Sequence, residues 1–129
     1  MTTQSAPTKQ PLVLIVEDDI LVLMDTAEAI RRAGYRVLEA GNADQAIRLL
    51  EKHADIEVLF TDIEMPGSMD GLRLAHAVKD RWPPVKIVST SAYLEFHSSH
   101  LPDGGRFFPK PYSVKQIAEV LSELTAKPR

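Results

Sequence analysis

Five apolar residues in succession, Leu12-Val13-Leu14-Ile15-Val16, run without alternation into the acidic triplet Glu17-Asp18-Asp19. A strand with one wet face alternates polar and apolar side chains, so an unbroken run predicts a strand covered on both faces, as in a parallel sheet between helical layers. The rest of the chain repeats that theme. Over residues 20–33 the apolar Ile20, Leu23, Ala27 and Ile30 recur at helical spacing, with Asp19 as N-cap and Gly34 as the left-handed residue that ends the helix. Residues 35–39 read as a second strand, and Asn42 caps a second helix whose inner face carries Ala43, Ala46, Ile47 and Leu50. A third apolar strand, 56–61, ends at Asp62. A loop at Pro66-Gly67 follows, and then a helix marked by Leu72, Ala75, Ala77 and Val78 that stops before Pro83-Pro84. Residues 85–89 give a fourth strand, 93–100 a short fourth helix, and 106–108 a fifth strand. Val114, Ile117, Ala118, Leu121 and Leu124 form the stripe of a final helix. Five strands alternating with five helices predict an α/β sandwich of three layers, its parallel strands joined by right-handed crossovers.

A chain of 129 residues, 44% hydrophobic, fits one domain with a full core. Its net charge of −3 and scattered lysines and arginines leave no basic patch for nucleic acid. The absence of cysteine excludes disulfides and thiolate metal sites. No segment approaches the roughly 18 apolar residues of a membrane span, and residues 1–11 lack the apolar run of a signal peptide. The expectation is a cytoplasmic protein with a flexible N-terminal segment over 1–11, a folded domain over 12–126 and a tail over 127–129. His53, His76, His97 and His100 show no metal-ligand spacing and are expected at the surface.

In open α/β sheets, ligand-binding groups gather beyond the carboxyl ends of the strands. Glu17 and Asp18 follow the first strand, Asp62 the third, Thr90 the fourth and Lys110 the fifth. Taken singly, an acidic pair is a solvated loop, an aspartate after a strand caps the next helix, and a lysine is surface. Their convergence on one edge is what a solvated-loop explanation does not predict. Carboxylates crowded at about 4 Å repel by roughly 1 kcal/mol in water and about 4 kcal/mol at an effective dielectric of 20, so a positive charge belongs among them. A hard divalent ion such as Mg²⁺ suits one or two carboxylates plus phosphate oxygens, and a lysine ammonium supplies the rest. Cation, ammonium, hydroxyl and carboxylate nucleophile together make a phosphoryl-transfer site.

The segments LIVEDD, FTDIEMPGSMDG, VKIVSTSAY and FFPKPY resemble, in order and spacing, the signature blocks of receiver domains of two-component response regulators, and the resemblance covers residues 12 to about 125. It implies a flavodoxin-like, doubly wound fold with five parallel strands in the order 2-1-3-4-5 flanked by five helices. It further implies Asp62 as phosphoacceptor, Glu17 and Asp18 as the acid pair holding Mg²⁺, and the backbone carbonyl of Glu64 as a further metal ligand. Thr90 becomes the hydroxyl that contacts the phosphoryl group, with Ser89 and Ser91 as flanking alternatives, and Lys110 the conserved-type lysine. Pro111 matches a proline preceded by a cis peptide bond. Phe107 stands at the switch aromatic, where the more familiar tyrosine would carry a hydroxyl. Asp19 is left to helix capping, and the loop PGSMDG is one residue longer than the commonest form.

The activity so implied is acceptance of a phosphoryl group from a sensor histidine kinase, a histidine phosphotransfer protein or a small phosphodonor, followed by slow self-hydrolysis. Such a domain is not a turnover enzyme. It acts through a downstream protein target by way of the face made by the fourth helix, fifth strand and fifth helix, as a monomer or weak homodimer without an output domain of its own. Whether it works alone or within a hybrid kinase stays open. Three rival readings fit the residues less well. A dinucleotide-binding module lacks its glycine-rich turn after the first strand. A haloacid-dehalogenase-like phosphohydrolase would carry its nucleophilic aspartate after the first strand. A receiver reduced to a phosphate-independent binding module would not need the complete set of site residues.

Overall fold

The computed structural model describes residues 10–67, 69–92 and 98–125. Five strands, β1 (Leu12–Val16), β2 (Arg36–Ala40), β3 (Ile56–Asp62), β4 (Lys86–Ser91) and β5 (Arg106–Pro109), form one parallel sheet in the order β2-β1-β3-β4-β5. Helices α1 (Ile20–Arg32), α2 (Ala43–Lys52), α3 (Gly71–Arg81) and α4 (Val114–Thr125) cover it. This is the flavodoxin-like doubly wound fold.

The unbroken apolar run of β1 is explained by the two cores it feeds. Leu12, Leu14 and Val16 pack with Ala46 and Leu50 of α2 and Leu74 and Val78 of α3. Val13 and Ile15 face the other way, onto Leu23, Ala27 and Ile30 of α1 and Ile117 and Leu121 of α4. All five residues of β1 are buried.

The helix ends follow from local chemistry. Asp19 Oδ1 accepts the backbone N–H groups of Leu21 and Val22 at 3.0 and 3.3 Å, and Asn42 Oδ1 accepts that of Gln45 at 2.9 Å. Each satisfies donors that the first helical turn leaves without partners. Past α1, Gly34 takes a φ of 101°, a conformation that costs a residue with a Cβ.

Five expectations need correction. Val114, placed in the apolar stripe of the final helix, is its first residue and is 56% exposed, while Ile117 and Leu121 are buried. Ile20 is 61% exposed rather than on the inner face of α1, because the first turn of that helix projects past the sheet edge; Thr26 is buried in its stead. Strand β4 runs to Ser91, two residues beyond the expected end, because its last rungs pair with β3 and β5. The expected fourth helix over 93–100 reduces, among the described residues, to one 3₁₀ turn at Ser98–His100, and 93–97 lie outside the described residues. The described α-helices therefore number four. Pro11, assigned to a flexible segment, is buried, and its carbonyl accepts the Arg36 N–H at 3.0 Å. His76 and His100 are exposed and His53 is half-buried, while His97 lies outside the described residues. No described helix is long and apolar enough to cross a membrane.

Candidate functional site

Sheet register assembles the site. Val16 pairs with Thr61, which sets Glu17, one step on, beside Asp62 at the end of β3. Asp62 pairs with Thr90, and Ser91 pairs with Pro109, so Lys110 leaves β5 at the same edge. A cleft of about 380 Å³ opens there, lined by Glu17, Asp18, Asp62, Glu64, Ala92 and Lys110 among others. Five of the residues expected at the site from sequence, Glu17, Asp18, Asp62, Glu64 and Lys110, thus share one cavity.

Within it, Lys110 Nζ lies 3.2 Å from Asp62 Oδ1 and 3.7 Å from Glu17 Oε1. Both carboxylates are buried, at 5% and 6% exposure, while Asp18 is exposed. Burial pushes the Asp62 carboxyl above its ordinary range, against the opposing pull of Lys110 and with a further push from the negative charge of Glu64. Glu17 is raised too, by burial first and then by Asp62, although the Asp19 N–H donated to its Oε2 at 3.0 Å works the other way. Burial alone would pull the Lys110 ammonium down, but Asp62 and Glu17 together outweigh it and hold the lysine above its usual value. The site therefore carries more negative charge than its single ammonium offsets.

The donor set fits a hard divalent ion. One oxygen from each of Glu17, Asp18 and Asp62 lies within 4.8 Å of the other two. Asp62 Oδ1 is also buried, and the Lys110 ammonium 3.2 Å away is the one partner it meets among the described residues. One ammonium does not offset three carboxylates drawn that close, so a further cation fits there.

The elements that hold these groups are tightly constrained. The backbone N–H of Gly71, the first residue of α3, donates to the Ile63 carbonyl at 2.9 Å, and a Cβ at Gly71 would fall 1.8 Å from the Asp62 carbonyl oxygen. Only glycine permits that approach, and this role is carried by the MDG end of the long loop. The Lys110-Pro111 peptide bond is cis, as the resemblance implied. Tyr112 packs edge-on against Phe60, with ring centroids 5.9 Å apart, and its hydroxyl lies 3.1 Å from Thr26 Oγ1 on α1. Sequence reading passed over both residues, and the only available signal was an aromatic two places after the lysine. A second, more apolar cavity of about 550 Å³ between α1 and α4 shares Val22 and Lys110 with the acidic cleft.

The hydroxyls at the end of β4 differ in their contacts. Ser89, Thr90 and Ser91 are all buried, at 0%, 1% and 0% exposure, none of the three lines the cleft, and the Ser89 hydroxyl has no hydrogen-bond partner among the described residues. Ser91 donates its hydroxyl to Glu64 Oε2, and the next backbone N–H, that of Ala92, donates to Glu64 Oε1 at 3.3 Å. Sequence reading assigned Glu64 only a carbonyl and missed this side-chain role. Phe107, half-buried on β5, packs against the core beneath α2 and α3.

Comparison with known proteins agrees with this geometry. The response regulator receiver domain family matches residues 13–122. The sensor kinase CckA of Brucella abortus is 33% identical over 119 residues, which cover 89% of this chain and 12% of that kinase. The transcriptional regulatory protein PdtaR of Mycobacterium tuberculosis is 30% identical over 81% of this chain and 52% of its own length. The chain thus spans about half, or much less, of these relatives. Among solved structures, the receiver domain of the hybrid histidine kinase CckA superposes with a TM-score of 0.75 at 30% identity, covering 88% of this chain and 97% of that one. A receiver protein from Sinorhizobium medicae gives a TM-score of 0.80 at 28% identity, covering 91% and 95%. With its strand order, its cleft at the carboxyl edge and a family match over most of its length, the chain belongs to the response regulator receiver domains of two-component systems.

Proposed function

We propose that this domain accepts a phosphoryl group on Asp62, from a phosphohistidine of a sensor histidine kinase or histidine phosphotransfer protein or from a small phosphodonor. The single observation that carries the reading is a buried carboxylate in the cleft, ion-paired to Lys110 and crowded by two further carboxylates. An Asp62 oxygen attacks the phosphorus. As the O–P bond forms the P–N bond breaks, its electron pair stays on the imidazole nitrogen, and the ring takes a proton from solvent. Lys110, kept protonated by its two carboxylate neighbours, holds the charge of the transferring group. Glu17, Asp18, Asp62 and the Glu64 carbonyl are the groups that would hold Mg²⁺, which when bound supplies the positive charge that lets an anion approach this acidic cleft.

We assign the contacting hydroxyl to Ser91 in place of Thr90. Its support is that the Ser91 hydroxyl bonds to Glu64, a residue of the cleft wall, and that Ser91 is followed directly by Ala92, which lines the cleft. Water attacking the phosphorus later restores the Asp62 carboxylate and releases inorganic phosphate, so the domain is substrate and slow phosphatase of itself. Movement at the end of β4 passes to β5 and Phe107, whose rung lies beside Ser89, and alters affinity for a protein target in the cytoplasm.

Incubation with Mg²⁺ and acetyl phosphate tests this. Acid-labile acyl phosphate is expected on the wild-type chain and none on Asp62→Asn; equal labelling of that variant excludes Asp62.

A further inference from the structure

The Glu64 carboxylate is bonded to two consecutive donors that are 27 and 28 residues away in sequence. Ser91, fully buried, gives its hydroxyl to one oxygen, and the Ala92 N–H gives to the other. A carboxylate that takes a hydroxyl and an adjacent amide in this way is bound as a small anion would be. It also lies in the wall of the same cleft as Asp62 and Lys110. We propose that Glu64 is a built-in occupant of the phosphoryl donors: in the resting domain it takes Ser91 and Ala92, and an anion on Asp62 must displace it.

The inference rests on the phosphoacceptor reading above. An acyl phosphate brings three acceptor oxygens and nearly two negative charges into a cavity of about 380 Å³. The donors on its wall include Lys110, which is already paired, and the Ala92 amide, which Glu64 holds. Two anions sharing those donors repel each other, so the exchange is competitive: the phosphoryl group gains the hydroxyl and amide, and Glu64 swings out to solvent. Because Glu64 belongs to the loop that leads from Asp62 into α3, its release frees that loop at the moment the aspartate is modified. The resting contact therefore sets a threshold against weak or accidental anions, and it names the β3–α3 loop as an element that changes on phosphorylation.

The test is a beryllofluoride titration in Mg²⁺ of the wild type, Glu64→Gln, Ser91→Ala and the double variant, followed by calorimetry. Glu64→Gln, at a half-buried position and of equal size, is expected to bind about tenfold more tightly. In the Ser91→Ala background the same change is expected to yield threefold or less, because little hydrogen-bond competition remains and only charge is removed. In the metal-free protein, Glu64→Gln is expected to speed amide exchange at Ala92 several-fold. An equal gain in both backgrounds, or no gain at all, overturns the competition. Labelling of the wild type by acetyl phosphate separates the two levels: a chain that labels on Asp62 yet shows no Glu64 effect loses only this inference, whereas one that does not label loses the receiver reading.

Discussion

The hydroxyl of Tyr112 lies 3.1 Å from Thr26 Oγ1, so that α1 is tied to the residue two places beyond Lys110. The tie joins the helix that starts beside the acid pair to the segment that delivers the ammonium, with Thr26 buried and Tyr112 half-buried. Burial raises the tyrosine above its ordinary range even though the bond to Thr26 favours its ionised form, so the phenol stays neutral at any working pH. Removing the hydroxyl in Tyr112→Phe is expected to cost about 1 kcal/mol of stability in urea unfolding. Thr26→Val is expected to cost a similar amount, and the double variant less than the sum; full additivity would show that the two groups do not interact.

Asp62 and Glu17 both titrate above their ordinary values of 3.8 and 4.5 in the folded, metal-free domain. Each binds its proton more tightly folded than unfolded, so the contribution to stability is full below those ordinary values and is lost as pH rises through the raised ones. At neutral pH the pair of carboxylates destabilises the domain. Asp62→Asn in chelator at pH 7.5 is therefore expected to raise Tm by a few degrees, on the order of 1 kcal/mol, and the gain should vanish near pH 4. A lower Tm for the variant at neutral pH contradicts this sign.

Asp18 is exposed and Asp19 caps α1, and two substitutions separate these roles. Asp18→Asn should leave metal-free stability within about 0.5 kcal/mol while weakening Mg²⁺ binding by about tenfold, read from the dependence of Tm on Mg²⁺ concentration. Asp19→Ala should cost about 1 kcal/mol and leave Mg²⁺ affinity nearly unchanged. The reverse pattern would move the acid pair one residue along the chain.

Gly71→Ala places a methyl group 1.8 Å from the Asp62 carbonyl oxygen, a contact that backbone must yield to relieve. A loss of 3 kcal/mol or more is expected, at the upper end of single-substitution effects. Because the atom struck belongs to the nucleophile's own residue, any variant that still folds should also label slowly with acetyl phosphate. An unfolding midpoint close to wild type would mean that α3 starts farther from β3 than described.

The architecture was legible because parallel strands buried on both faces leave an unmistakable mark: β1 carries no polar residue, and Asp19 and Asn42 announce the helices that follow. What sequence could not settle depended on long-range geometry. Ser89, Thr90 and Ser91 offer three hydroxyls in a row, and which one meets the cleft depends on where β4 ends and on a loop carboxylate 27 residues away. Helical periodicity likewise placed Ile20 with the core, since spacing alone does not tell where a helix overhangs the sheet it covers. The side-chain role of Glu64 left no local trace at all.

The backbone N–H of Lys110 donates to the carbonyl of Ser91 at 2.9 Å. That rung clamps the serine to the lysine at a constant spacing, like two jaws cut from one block. Any shift of the serine at the end of β4 is therefore shared by the lysine, and the two travel as one piece into β5. Glu64, which rides on a loop outside that rung, is free to adjust separately.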